Sequence, residues 1–249
     1  MGTVAVFGGS GRLGRLIVRR IAQDAPVRFT FLSQADAAAA FAAELRAQGR
    51  DVEAVKVDVR DAAEVEAFLR ATAAVDGRLA GIVSANGNRF PVRPLQDVDE
   101  RDFRRIVEVD VFGNFHVLQA GTRLLAAQGG GAIVVLLTAA ILRTATCDGM
   151  SSIPKAAVAS MIRQLARDAG PLDVRCNGVA PGAMRTSKVM DIEALDAYER
   201  HLVEEFVADT PLGRLNDPET VAELIAFLLS DRAASVNGQI IGADGGYSA

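Results

Sequence analysis

Cysteine occurs only twice in the 249 residues, as Cys147 and Cys176. Two thiols cannot staple a small secreted fold, and without a second pair they do not build a zinc site. Both are read as reduced, in a cytoplasmic chain that binds no metal. A basic excess is also missing: 27 Lys and Arg stand against 31 Asp and Glu, a net charge of −4, and no cationic cluster tracks a phosphate backbone. Nucleic acid is therefore not an expected partner. No apolar run approaches the roughly 18 residues that cross a bilayer. A strand read from Thr3 leaves no room for a signal peptide, so no membrane association is expected. Linkers, charge blocks and internal repeats are lacking as well, which favours one domain over residues 1–249. Tyrosine is confined to Tyr198 and Tyr247.

What the chain does have is a regular alternation. Hydrophobic residues make up 50% and charged residues 23%, the proportions of a globular protein. Short apolar runs at 3–7, 27–32, 52–57, 79–83, 132–137, 174–179 and 239–241 read as strands. Helix-period stretches lie between them at 13–23, 36–48, 62–73, 100–127, 151–169 and 218–229. This is the pattern of an α/β protein with a parallel seven-stranded sheet and helices on both faces.

The first strand runs into Gly8-Gly9-Ser10-Gly11-Arg12-Leu13-Gly14 and then into a helix. Glycines at 9, 11 and 14 have the Gly-x-Gly-x-x-Gly spacing that lets a backbone turn tightly and approach a pyrophosphate at a helix N-terminus. In a repeated βα context this predicts a Rossmann-type, doubly wound dinucleotide site. The second strand ends Phe31-Leu32-Ser33-Gln34, with no carboxylate to grip the ribose hydroxyls of NAD. With Ser33 and Gln34 neutral and Arg12 nearby, the balance tilts toward NADP over NAD.

From these residues onward the whole chain resembles the short-chain dehydrogenase/reductase family. Gly8, Gly11 and Gly14, with Ser10 and Leu13 between them, match its glycine loop, and Arg12 stands where most members have glycine. Asp58 and Val59 match the pair that meets adenine. Ser84-Ala85-Asn86-Gly87 is similar to the family's Asn-Asn-Ala-Gly motif with its first three positions changed. Asn177 to Gly182, including Pro181, together with Thr186 resembles the segment beside the nicotinamide, and Asn237-Gly238-Gln239 with Asp244-Gly245-Gly246 resembles the last strand. The resemblance also implies a homodimer or homotetramer, built through the helices at 100–127 and 151–169 and the last strand.

The chemical centre departs from that family's pattern. Where it places Ser, Tyr, Lys and Asn, this chain has Thr138, Ser151, Lys155 and Asp110. The resemblance implies that Lys155 holds the nicotinamide ribose. Thr138 keeps a hydroxyl that can orient a carbonyl. Asp110 adds a negative charge expected to pair with Lys155 and raise its pKa. Ser151 is the severe change: an aliphatic hydroxyl is a far poorer acid than a phenol, and loss of a general acid costs roughly 10²–10⁴ in rate. Other groups near the vacancy are Tyr198 and His201, in a stretch at 187–211 that in this family forms a substrate lid. These two are read as lying on an amphipathic helix, one packed and one solvated. Met190, Leu195, Leu202 and Phe206 give that stretch an apolar wall. His116 is read as packed on the long helix, and Cys147 and Asp148 as loop residues just before Ser151, close enough to line the pocket but expected to be exposed.

The function implied is an NAD(P)-dependent oxidoreductase acting on a carbonyl or hydroxyl of a small, fairly apolar substrate. The alternatives are a non-redox isomerase, dehydratase or cyclase on the same fold, or a catalytically silent cofactor-binding partner.

Overall fold

Val4, Ala5, Val6 and Phe7 of the first strand are all buried, so this strand has no solvent face and must lie between two layers. The computed structural model of the chain shows both layers, and it describes residues 2–87, 90, 92–184 and 197–249. Seven strands, β1 (Thr3–Phe7), β2 (Val27–Phe31), β3 (Val52–Lys56), β4 (Leu79–Ser84), β5 (Gly131–Leu136), β6 (Val174–Pro181) and β7 (Ile240–Ala243), form one sheet. Every pairing is parallel and the order is β3-β2-β1-β4-β5-β6-β7. One face is covered by α1 (Arg12–Ile21), α2 (Ala35–Ala47) and α8 (Pro218–Leu229), through Ile17, Phe41 and Ile225 among others. The opposite face is covered by α3 (Ala62–Asp76), α5 (Asn114–Ala127) and α6 (Gly149–Asp168), through Phe68, Leu118 and Ile162. Alternate residues of β1 supply the two cores, Val4 and Val6 to the first, Ala5 and Phe7 to the second.

The long helix expected at 100–127 is continuous but not uniform. It runs as α4 (Glu100–Val107), a π turn (Glu108–Gly113) and α5. The wide turn coincides with a side-chain bond into the helix, from Asn114 Nδ2 to the Asp110 carbonyl at 2.6 Å. Such widened turns often mark functional sites. The helix expected from Ser151 starts two residues earlier, at Gly149, and β6 runs on to Pro181. Of the stretch at 187–211, residues 187–196 lie outside the described residues, including Met190 and Leu195, as does Thr186. Residues 197–208 form α7 (Ala197–Ala208). Among the described residues, no helix is long and apolar enough to cross a membrane.

Chain order places a switch point beside β1: the chain moves outward to β2 and β3, then returns to lay β4 on the other side of β1. In such sheets the crevice outside the carboxyl ends of the strands is where ligands bind. The ends of β1, β4, β5 and β6 carry Gly8, Ala85, Thr138 and Gly182 respectively, or lead directly to them.

Candidate functional site

The turn after β1 is built for close approach of backbones. Gly8 has φ 73, and a Cβ there would stand 2.6 Å from the Ala85 carbonyl oxygen, across the switch point. A Cβ on Gly14 would stand 2.2 Å from the Gly8 carbonyl oxygen, which no side chain can accept. Gly8 N–H donates to Thr30 Oγ1 at 2.9 Å and Gly11 N–H to the Gly8 carbonyl at 3.0 Å, closing the loop on itself. Helix α1 then begins at Arg12 with no side-chain cap and no acidic residue in its first turn, so its leading amides and positive dipole end face the loop. Gly11 and Arg12 are exposed, while Leu13 and Gly14 are buried under the turn. At the end of β2, Ser33 and Gln34 are both exposed, and Gln34 takes a left-handed conformation (φ 63).

Asp58 is less open. Its carboxylate is gripped by the Arg60 guanidinium, with Nη2 to Oδ2 at 2.5 Å, and by the Arg60 backbone amide, which together hold it below the usual carboxylate range. The neighbouring Val59 is buried, and its carbonyl meets His116 Nδ1 at 2.9 Å. His116 thus packs on the long helix, as the sequence suggests.

Ser84, Asn86, Asn114, Asp110 and Lys155 form one polar chain across the crevice floor. Asn86 Nδ2 donates to Ser84 Oγ at 3.0 Å, and the Ser84 hydroxyl donates to Asn114 Oδ1 at 2.7 Å. Asn114 holds the Asp110 carbonyl, and Lys155 Nζ donates to Asp110 Oδ2 at 2.8 Å. The expected pairing of Asp110 with Lys155 therefore forms, in a buried setting with side-chain exposures of 3% and 13%. Asp110 Oδ1 is buried with no partner among the described residues. Sequence reading did not single out Ser84 or Asn114 as members of this chain. Ser84 carried a signal as the first residue of the altered Asn-Asn-Ala-Gly motif, whereas Asn114 stood only as a polar residue inside a helix.

Thr138 lies two residues beyond β5, half-buried, its Oγ1 accepting from Ala140 N–H at 3.4 Å, which leaves its own O–H available to donate. Ser151 is buried in the first turn of α6, and its N–H donates to the Asp148 carbonyl at 3.0 Å. Pro181 is buried and Gly182 half-buried at the end of β6, where a Cβ on Gly182 would meet Asn216 Nδ2 at 2.6 Å. Asn177, in the same segment, is fully buried and ties β6 to the next loop through Val236 O and Gln239 N–H, a structural task rather than a contact with the crevice.

Two expectations about the neighbourhood need correction. Tyr198 and His201 both lie on α7 and both are exposed, so neither is the packed member of the pair. The Tyr198 hydroxyl lies 3.1 Å from Cys147 Sγ, and His201 Nε2 lies 3.4 Å from Glu205. Cys147 and Asp148 are half-buried rather than exposed; the C-terminal turn is bonded to the loop that carries them, Tyr247 Oη to the Thr144 carbonyl and Arg143 Nη1 to the Tyr247 carbonyl. Burial pushes the Asp148 carboxyl up to about 6, with Lys155 pulling it part of the way back.

A glycine turn that only hydrogen can line, at the switch point of a parallel sheet, defines a doubly wound nucleotide-binding α/β protein. Residues 13–248 match the family described as enoyl-(acyl carrier protein) reductase. Levodione reductase of Leifsonia aquatica is 31% identical over 250 residues, 99% of this chain and 94% of that protein. L-rhamnose 1-dehydrogenase (NAD(P)(+)) of a Sphingomonas species is 32% identical over 246 residues, 98% and 95% of the two chains. The structure of a short-chain type dehydrogenase/reductase from Mycobacterium ulcerans superimposes with a TM-score of 0.92 at 30% identity, covering 99% of this chain and 90% of that one. The chain belongs to the short-chain dehydrogenase/reductase family.

Proposed function

We propose that the protein is an NAD(P)-dependent oxidoreductase, one dinucleotide-binding unit over residues 1–249, acting on a carbonyl or hydroxyl of a small, fairly apolar molecule. The observation that carries this reading is the cradle at Gly8 and Gly14, where a Cβ would collide with backbone at 2.6 and 2.2 Å. That close packing of the turn on itself aims the uncapped, acid-free N-terminus of α1 at the switch point, where its free amides suit a diphosphate. In this reading Gly8, Ser10, Gly11, Arg12, Leu13 and Gly14 hold the diphosphate, and Ser33 with Arg12 receives the adenosine ribose. Asp58 and Val59 meet the adenine, Ala85, Asn86 and Gly87 line the switch point, and Lys155, Pro181, Gly182 and Thr186 hold the nicotinamide end. The bound nicotinamide supplies or accepts the hydride. Thr138 and Ser151 orient the reacting oxygen, and Asp110 keeps Lys155 in place.

The relatives named as a reductase and a dehydrogenase support redox chemistry of this kind, and the NAD(P)(+) in one name agrees with either cofactor. We favour NADP, because an exposed Arg12 in the glycine turn and a β2 end without a carboxylate suit a 2′-phosphate. Replacing Arg12 by Ser should cost NADPH about 10–100-fold in affinity, the worth of a charge-assisted contact, and leave NADH nearly unchanged. Exposed Phe112 and Phe115 on the long helix and Ile153 on α6 favour a homo-oligomer through these helices, and two free thiols agree with a cytoplasmic setting.

The test is a fluorescence titration with NADPH and NADH, followed by a turnover screen on small cyclic and open-chain ketones. Binding with oxidation of the cofactor supports the reading. Binding without any turnover moves the protein to the silent-partner reading, and turnover with no absorbance change at the nicotinamide moves it to an isomerase or dehydratase.

A further inference from the structure

The vacancy left by Ser151 needs a group that can exchange a proton near neutral pH, and most titratable side chains nearby are committed elsewhere. The Tyr247 hydroxyl donates to the Thr144 carbonyl at 3.3 Å, with its ring stacked on Phe206 and under the Arg143 guanidinium. Tyr198 is engaged with Cys147, and its phenol is held above its usual range chiefly by that contact. His116 is engaged with Val59 and His201 with Glu205. Asp110 is spent on Lys155.

Asp148 is different. It precedes α6 by one residue, and its carbonyl accepts from Ser151 N–H at 3.0 Å and Ser152 N–H at 2.9 Å, which fixes its backbone to the turn that carries Ser151. Its carboxyl makes no capping bond to the helix. The chain reaches it through Cys147 in a left-handed conformation (φ 62). The charged and titratable groups that act on it or feel its charge are Lys155 on α6, paired with Asp110 on the π turn, and Tyr247 of the C-terminal turn, whose ring lies under Arg143, itself paired with Asp209. Asp148 is therefore a half-buried residue bonded through its backbone to the turn that carries Ser151, its carboxyl within the field of the ammonium that Asp110 fixes.

We propose that Asp148 is the acid–base residue of this site, giving its proton to the substrate oxygen in reduction and taking it back in oxidation. This rests on the oxidoreductase reading above. In reduction the carbonyl carbon gains a hydride from the reduced nicotinamide cofactor, and the π pair moves to oxygen. Oxygen takes the Asp148 proton to give the alcohol, and the carboxylate left behind is reprotonated from solvent. Burial has already raised this acid to about 6, the range in which a carboxyl works as a general acid.

The experiment has two arms. In the unliganded protein, ¹³C-carboxyl NMR compared with Asp148→Asn assigns and titrates the group. A midpoint near 6 is expected, and a midpoint near 4 overturns the proposal without any turnover being measured. In the second arm NADPH and NADH binding and ketone reduction are followed from pH 5 to 9 in the parent, Asp148→Asn and Asp148→Glu. Expected are unchanged cofactor affinity, a loss of about 10²–10⁴-fold in turnover for the Asn variant, and partial recovery with a displaced pH profile for the Glu variant. Parent rates and pH profile in Asp148→Asn, with cofactor bound, overturn the proposal alone. Failure of the parent to bind either cofactor or reduce any ketone overturns the oxidoreductase reading, and the proposal with it.

Discussion

A carboxyl kept for chemistry costs stability, and Asp148 allows that cost to be measured apart from activity. The folded protein holds its proton at about 6 against 3.8 for the free side chain. At about 1.4 kcal/mol per tenfold change, this difference is worth at most ~3 kcal/mol. Because the folded state binds the proton more tightly, the residue contributes most below pH 3.8. That contribution is lost as pH rises through about 6, and above it the ionised form destabilises the fold. Asparagine has the shape of the protonated acid and cannot ionise. Asp148→Asn should therefore be more stable than the parent at pH 8, by up to about 3 kcal/mol or roughly 6–12 °C in Tm for a domain of this length. The advantage should shrink to nothing by about pH 4. The assay is a set of thermal or urea melts across pH 4–8. An Asn variant less stable than the parent at pH 8, or shifted equally at every pH, would refute the reasoning. A gain in stability with a loss of turnover is the signature of a residue retained for function.

Three further outcomes follow from the same structure. Gly14→Ala drives a methyl to 2.2 Å from the Gly8 carbonyl, so the turn must open; we expect ~1–3 kcal/mol of destabilisation and loss of measurable NADPH quenching, checked by melts and fluorescence. Asp110→Ala leaves the Lys155 ammonium buried without its partner and should cost about 3–5 kcal/mol, read by urea denaturation. Burial pushes the Cys176 thiol up to about 12, so at pH 8 a thiol reagent should label Cys147 alone in the native protein and both cysteines after denaturation, as counted by mass spectrometry.

The architecture was legible because a parallel sheet covered on both faces writes itself as short apolar runs separated by helical period, and the runs at 3–7 and 27–32 fall on β1 and β2 with errors of at most one residue. The glycine turn was legible because its spacing encodes a steric demand. The π turn was not, since Glu108 to Gly113 continue the periodicity of the helix around them and only the bond from Asn114 shows the widening. Asp148 could be placed near the pocket, but its burial could not be read, for a related reason. A polar residue in a loop before a helix reads as exposed, and its half-buried position follows from tertiary packing that local sequence does not encode. The Asp110–Lys155 pair could be anticipated because two opposite charges fell on adjacent motif positions. The Ser84–Asn114 link could not, because neither residue has a charge to suggest a partner.

Calorimetric titration of the protein with NADPH and NADH tests the central claim most directly. The account predicts saturable heat at one cofactor per chain, abolished in Gly14→Ala. No heat with either cofactor at millimolar concentration would contradict it.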